Sequence, residues 1–355
     1  MNLTKAATRS IGAPFSPILD DLEANALEYF GTSPVRLTLA AALDRPFSHV
    51  LRVRVDGESG QRSHVFVKVF KPRLVAGGAE ILRARVVRDF ETTLAIHEAM
   101  SGSKQFGAVR PVACYPEHLT IVTEEVAGPT LLHLLLREGT WFPPVETMRR
   151  LLDTMGMLGQ WIRTFQAIPD QEGFVAAADL VEYIDVRLRR LVSHPGSPID
   201  EGRRQRVLAH IRALCQEVPS DEFRRVRVHS DLALENILVP PGRIVVLDFA
   251  MADSGTRVQD LTRVFVQLDL LHIKPYVRRS TIRELQQALI AGFDTALSEQ
   301  APVFRLLVLL HRINHLTTAS VRPARLPERL YNRFVRAQHL HWLDAEVARG
   351  PAGRA

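Results

Sequence analysis

Apolar and polar positions change their period along this chain, and the changes divide it. From Val35 onward the runs VRLTLAAAL, SHVLRVRVD and SHVFVKVFK are rich in strand-forming residues, and GESGQR between the second and third is the turn-former cluster of a hairpin. The pattern predicts an antiparallel meander. Between Glu80 and Met100, Leu82, Val86, Phe90, Leu94 and His97 recur at helical spacing, which predicts one long amphipathic helix after the third strand. Two more strands are predicted in PVACY (111–115) and HLTIVTEE (118–125), joined by a turn at Pro116 and Glu117. Ala127, Gly128 and Pro129 then punctuate the chain. Beyond them the helical segments TLLHLLLRE, ETMRRLLDTMGMLGQWIRTFQAI, DLVEYIDVRLRRLV and GRRQRVLAHIRALCQEV follow one another. Two short β-like runs, NILV (236–239) and RIVVLDF (243–249), are separated by Pro240-Pro241-Gly242 before helices resume.

The expected fold class is therefore α+β with two lobes. Residues 1–33 read as a lead-in with a short helix around Asp20 to Tyr29. Residues 34–126 form a lobe of five antiparallel strands plus one helix, 127–345 a mainly helical lobe, and 346–355 a flexible tail. No repeat of fixed period is present.

Composition narrows the function classes. With 46% hydrophobic and 24% charged residues, a chain of 355 residues can bury one large core or two modest ones. The longest apolar stretches, such as FRLLVLL (304–310), fall short of the roughly 20 residues of a membrane-spanning helix, so no integral membrane segment is expected. The N-terminus lacks the uninterrupted apolar core of a secretory signal, and the expected location is the cytoplasm. Cys114 and Cys215 are the only cysteines, which argues against a disulfide framework or a zinc cluster and for buried free thiols. The net charge of +6 conceals an arginine-rich C-terminal run: Arg305, Arg312, Arg322, Arg325, Arg329, Arg333 and Arg336. That run reads equally well as a solvated basic face and as a surface for an anionic partner. A nucleic-acid partner is not expected.

The chemistry gathers in Val228-His229-Ser230-Asp231-Leu232-Ala233-Leu234-Glu235-Asn236, an HxDxxxxN pattern, followed by Val245-Val246-Leu247-Asp248-Phe249. Lys68 in FVKVF, on the predicted third strand, lies well upstream, as a kinase arrangement requires. Together these segments resemble the aminoglycoside phosphotransferase and choline kinase family of protein-kinase-like enzymes. VHSDLALENILV is similar to that family's catalytic loop, VVLDFAMAD to its metal-binding segment, and PVACYPEHLTIVTEEVAGPTL to its strand, hinge and lobe entry. The resemblance covers roughly residues 35–270.

The resemblance implies an ATP- and Mg²⁺-dependent enzyme whose partner is a small-molecule hydroxyl substrate. Phosphoryl transfer asks a protein mainly for positioning and charge neutralisation. Asp231 would be the catalytic carboxylate, Asn236 and Asp248 the oxygen ligands of the metal, and Lys68 the cation on the nucleotide phosphates. Glu91, mid-helix beside Phe90, is the expected partner of Lys68, with Glu80 and Glu98 as alternatives. His229 and Asp260 would support the catalytic loop. Asp260 can equally be an ordinary helix N-cap. Glu124, Glu125 and Val126 would offer backbone groups to adenine.

The chain departs from the family in some places. It has no GxGxxG, and the loop Asp44-Arg45-Pro46-Phe47-Ser48 leaves Ser48 and its neighbours to cradle phosphate. Ser230 stands where glycine or arginine is common, Ala250 follows Asp248-Phe249 where many kinases have glycine, and TFQAI lacks the Leu-His pair often found there.

Three functions compete: a small-molecule kinase, a catalytically inactive nucleotide-binding regulatory module, and a protein kinase. The segment after Asp248 carries Arg257, Arg263, Lys274, Arg278, Arg279 and Arg283, which favours a neutral or anionic acceptor over a polycationic aminoglycoside. A sugar, a glycan precursor or a phosphorylated metabolite would fit.

Overall fold

Alternation along consecutive strands decides which side of the first sheet is core. In the computed structural model, which describes residues 15–45, 48–58, 60, 62–72, 78–169, 172–197, 199–321 and 326–350, β1 (Val35–Asp44), β2 (Ser48–Gly57) and β3 (Arg62–Phe70) form an antiparallel meander. β6 (Thr120–Glu124) pairs with β3, and β5 (Pro111–Tyr115) closes a five-stranded sheet of order β1-β2-β3-β6-β5. The lead-in up to Pro14, the loop residues Pro46 and Phe47, Arg322, Arg325 and the tail residues 351–355 lie outside the described residues.

Leu51, Val53 and Val55 of β2 and Val65, Val67 and Val69 of β3 point to one face and are buried. α1 (Phe15–Ala24) covers that face with Phe15, Ile18 and Leu22, spaced one helical face apart. Part of the predicted lead-in is thus a packed layer, and it continues as α2 (Ala26–Phe30) rather than as one helix around Asp20 to Tyr29. The residues between, including Arg52, His64 and Lys68, face the other way. α3 (Gly78–Met100) packs on β5 and on the short β4 (Phe106–Ala108), burying Val86, Ile96 and Met100.

The chain divides into two compact units. The first comprises 1–128 together with 245–251, and the second comprises 129–244 and 252–355. The segment carrying Asp248 therefore folds with the sheet-bearing unit, where the Val109 N–H donates to the Val246 carbonyl at 3.0 Å.

The second unit contains α4 (Leu131–Glu138), α5 (Val145–Gln166), α6 (Ala177–Val192), α7 (Glu201–Glu217), α8 (Gln259–Leu270), α9 (Arg279–Phe293), α10 (Pro302–Val321) and α11 (Leu326–Arg349). The very short β8 (Ile237–Leu238) and β9 (Ile244–Val246) match the two β-like runs. β7 (Arg225–Val228) pairs with β10 (Asp253–Thr256); the first alternates as Arg-Val-Arg-Val, but the second has no apolar alternation to make the piece evident beforehand.

α10 is buried without interruption from Val303 to Ile313, so its apolar run is inside protein. No described helix is long and apolar enough to cross a membrane. Glu346, placed by the sequence in a flexible tail, is buried in α11 and accepts from the Arg305 Nε at 2.7 Å. Arg312 is likewise buried, 2.7 Å from Asp269. Neither arginine belongs to a basic surface, whereas Arg329 and Arg333 are exposed.

α5 and α9 approach backbone to backbone through glycine. A Cβ on Gly292 would fall well inside contact distance of the Gly156 carbonyl, whereas one on Gly156 meets nothing nearer than the Ala288 carbonyl at 3.9 Å. Gly292→Ala is therefore expected to destabilise by about 1–3 kcal/mol or more through overpacking. Gly156→Ala should be neutral or gain up to about 1 kcal/mol of helix propensity. Urea unfolding of the two variants checks the contrast, and equal effects would refute the close approach.

Candidate active site

In the first unit Lys68 stands on the polar face of β3. Its Nζ lies 3.1 Å from Asp248 Oδ1 and 4.9 Å from the centre of the Phe70 ring. Asp248 follows the buried run Val245-Val246 and adopts φ +63°, a left-handed conformation that aspartate tolerates better than most residues. The third charged group is Asp89 on α3, 5% exposed. Burial pushes its carboxyl up to about 6; the Lys68 ammonium opposes that shift and Asp248 adds to it. The Thr93 hydroxyl donates to the Asp89 carbonyl at 2.7 Å.

Glu91, the expected partner of Lys68, is exposed, as are Glu80 and Glu98. Two residues along a helix turn a side chain by about 200°, so Glu91 and Asp89 cannot face the same way. A signal for Asp89 was present. It shares the buried stripe of Val86, Thr93, Ile96 and Met100, and an acid on an apolar helix face calls for a partner.

At the end of β6 the acidic side chains are already engaged. Glu125 takes Arg52 in a two-pronged pair, Nε to Oε1 at 3.0 Å and Nη2 to Oε2 at 2.8 Å, with His64 Nδ1 at 3.2 Å. Glu124 accepts from Arg110 Nε at 2.8 Å. The Glu124 and Glu125 N–H groups donate to the Arg110 and His64 carbonyls, both at 2.9 Å, whereas the Val126 N–H makes no hydrogen bond among the described residues. Ser48 is buried at the start of β2, its carbonyl accepting from the Arg45 N–H at 2.9 Å.

In the second unit the loop 229–236 is gripped by one face of α8. Asp260, Arg263 and Gln267 lie at helical spacing i, i+3 and i+7. The Asp260 carboxylate is fully buried and accepts the His229 N–H at 2.7 Å and the Ser230 N–H at 3.1 Å. It lies in the first turn of α8 but caps the loop rather than its own helix. Burial pushes its carboxyl up, against the pull of His229 and the two N–H donors. Arg263 pairs with Asp231 through Nη2 and Oδ1. Gln267 donates to the Leu232 carbonyl at 2.9 Å and accepts the Leu234 N–H at 3.1 Å.

Within the loop, Ser230 takes φ +61°, so the chain reverses and the Asp231 side chain is left 45% exposed. The Asp231 N–H donates to His229 Nδ1 at 3.3 Å, and Asn236 Nδ2 donates to the Asp231 carbonyl at 3.1 Å. Arg263 and Gln267 were not singled out as loop partners in the sequence. Their spacing from Asp260, as polar residues on an otherwise buried helix, was the available signal. Cys114 and Cys215 are free and partly buried, and burial pushes both thiols up to about 11.

Solved structures of protein-kinase-like enzymes share this two-lobed α+β fold over nearly the whole chain. Choline kinase from Cryptosporidium parvum Iowa II aligns with a TM-score of 0.55 at 12% identity, covering 95% of this chain and 98% of that one. Aminoglycoside phosphotransferase APH(4)-Ia aligns with a TM-score of 0.53 at 16% identity, covering 94% and 99%. A thermostable mutant of that enzyme, in ternary complex with AMP-PNP and hygromycin B, gives 0.52 at 17%, also covering 94% and 99%. Within this class the profile of the phosphotransferase enzyme family matches residues 121–301, a little over half of the chain, and the chain belongs to that family. Curated protein sequences offer no match.

The raised Asp89 carboxyl has a consequence for stability. Below the ordinary value of 3.8 both folded and unfolded states hold the proton. As pH rises, the unfolded state releases it first, so the native state binds more protons and loses stability up to about 6. Asp89→Asn is expected to remove this loss, of no more than about 3 kcal/mol, and to flatten the stability profile in that window. Urea unfolding across the window tests it, and an unchanged slope in the variant would refute it.

Proposed function

We propose that this chain is an ATP- and Mg²⁺-dependent phosphotransferase that phosphorylates a hydroxyl of a small molecule in the cytoplasm. The observation that carries the reading is the loop bearing Asp231, whose backbone is held by a buried carboxylate and whose side chain stays accessible. A carboxylate so held can accept a hydrogen bond from the attacking hydroxyl and take its proton late in the transfer.

Lys68 serves the nucleotide phosphates, and Asp89, in the place expected of Glu91, orients it. Of the three residues expected to meet adenine, Val126 has the N–H to donate, and Glu124 or Glu125 contributes a carbonyl. Ser48, at the start of β2, would offer its backbone to the phosphates. His229 and Asp260 hold the loop without touching the reacting atoms.

Asn236 and Asp248 each offer the kind of oxygen donor that a hard cation takes. The Asn236 amide nitrogen is used by the Asp231 carbonyl, which leaves its oxygen as a ligand, and Asp248 adds carboxylate oxygen. Two side-chain oxygens do not fill the shell of a hard cation, so phosphate oxygens and water would complete it. Magnesium bound there would neutralise charge on the triphosphate.

The acceptor is a neutral or anionic alcohol, such as a sugar, glycan precursor or phosphorylated metabolite, because the chain from Arg257 to Arg283 is basic. A protein substrate is disfavoured, since β10 begins at Asp253 and α8 at Gln259, leaving no long activation segment after Asp248.

Screening alcohols for ADP release tests the reading. Asp231→Asn should lower kcat by about 10²- to 10⁴-fold with little change in KM for ATP, whereas Lys68→Ala should raise KM for ATP. ATP binding without turnover on any alcohol would instead indicate the regulatory module, and phosphate found on peptide a protein kinase.

A further inference from the structure

Of the six cations between Arg257 and Arg283, Arg263 is the one paired with Asp231. Arg257 is taken by Asp294 and stacks on Phe293, Lys274 lies 5.5 Å from the Tyr331 ring, and Arg278 lies 5.0 Å from the Phe142 ring. The Arg263 side chain keeps 23% of its surface open beside the Asp231 carboxylate, and its Nε is buried with no hydrogen-bond partner.

On its flank stand two histidines of α10, His311, which is buried, and His315, which is half-buried. Burial first, and then the Arg263 charge, push His311 down to about 3 and His315 to about 4, so both are neutral near pH 7. His311 Nε2 is engaged at 2.8 Å with the Gln259 carbonyl, and its Nδ1 has no partner. The Asp260 carboxylate, also within reach of the Arg263 charge, is committed to the loop N–H groups. The guanidinium thus has an unpartnered Nε and, among the described residues, one ion-pair partner, Asp231.

We infer that Arg263 is a specificity residue of the acceptor site, receiving an oxyanion of the acceptor, phosphate or carboxylate, in exchange for Asp231. This deepens the reading of Asp231 as the catalytic carboxylate and rests on it. A guanidinium offers two parallel donors to an oxyanion and cannot lose its charge, so it binds such a group in a fixed orientation. When the anion takes the fork, the Asp231 oxygen it had held becomes available to the acceptor's hydroxyl. An acceptor without the anion leaves the pair closed, and a polycation meets like charge.

Competition is the signature. With inorganic phosphate as the probe, followed by NMR titration of the nucleotide-free full chain, Asp231→Asn should bind at least about threefold tighter than the wild type, because the competing carboxylate is gone. Arg263→Gln should weaken binding about tenfold, with Arg263→Lys between. The gain from Asp231→Asn should vanish in the double variant with Arg263→Gln. Equal or weaker binding by Asp231→Asn, or a gain that survives in the double variant, overturns the inference. Asp231→Asn alone decides the matter if Arg263→Gln does not fold.

Turnover separates the two readings. A hexose phosphate and a hexonate, compared with the neutral hexose in ADP release, distinguish phosphate from carboxylate. Equal efficiency on the neutral hexose overturns the inference and leaves the kinase reading standing. Tightening by Asp231→Asn without ATP consumption on any alcohol sustains the anion site and removes the kinase reading.

Discussion

A carboxylate removed from water holds the loop on which the proposed chemistry depends. Asp260 is inside the protein, where an unpaired charge would be intolerable, and it is retained because two backbone N–H groups converge on it. Those two bonds support a Ser230 backbone that would otherwise relax from its left-handed conformation. With Ser230 so held, the next side chain, Asp231, faces outward rather than continuing into the core. The loop has no regular ladder to satisfy its amides, so the helix face of Asp260, Arg263 and Gln267 does that work instead.

The sheet-bearing unit solves a related problem by different means. Lys68 is half sheltered on a strand whose alternate residues are core, so its ammonium needs compensating charge, and Asp248 supplies it at contact. Asp89 sits behind them in a drier setting, where the cost of ionisation is partly offset by the same ammonium. Three charges in such an arrangement are well placed to respond to a polyanion, since one negative group is already only weakly committed to its charge. The paired glutamates at the end of β6 are different in kind. They are saturated by arginine and histidine within the sheet, and they stiffen the strand end while leaving the Val126 N–H open.

Much of this was legible in the chain. Alternation in β2 and β3 and one long helix over α3 each follow from one local rule and are recovered in the structure, although of the predicted helix stripe only Val86 is buried. What escaped was set by partners far away in sequence. Glu91 looked right by position along the helix, but rotation about the helix axis, read from Val86, Thr93 and Ile96, selects Asp89. Arg305 and Arg312 looked like surface charge because charge is usually solvated, yet each meets a carboxylate that only the tertiary fold brings near. β7 alternates as Arg-Val-Arg-Val, but its partner β10, Asp-Ser-Gly-Thr, carries no apolar periodicity, so the pairing was not announced.

Those buried pairs bear on how firmly the loop is aimed. Replacing a buried ion pair by apolar groups is often neutral or stabilising, so Arg312–Asp269 and Arg305–Glu346 are better explained by what they specify than by what they add in free energy. Asp269 projects from α8 about 200° away from Gln267, toward α10, while Asp260, Arg263 and Gln267 grip the loop from the other side. Polar partners on two opposed faces lock the rotation of α8. A turn by one residue would break the Arg312 pair and unseat the carboxylate beneath His229 and Ser230 together. The orientation of Asp231 is in this way tied to the register of α8 and α10, and through Arg305 and Glu346 to α11.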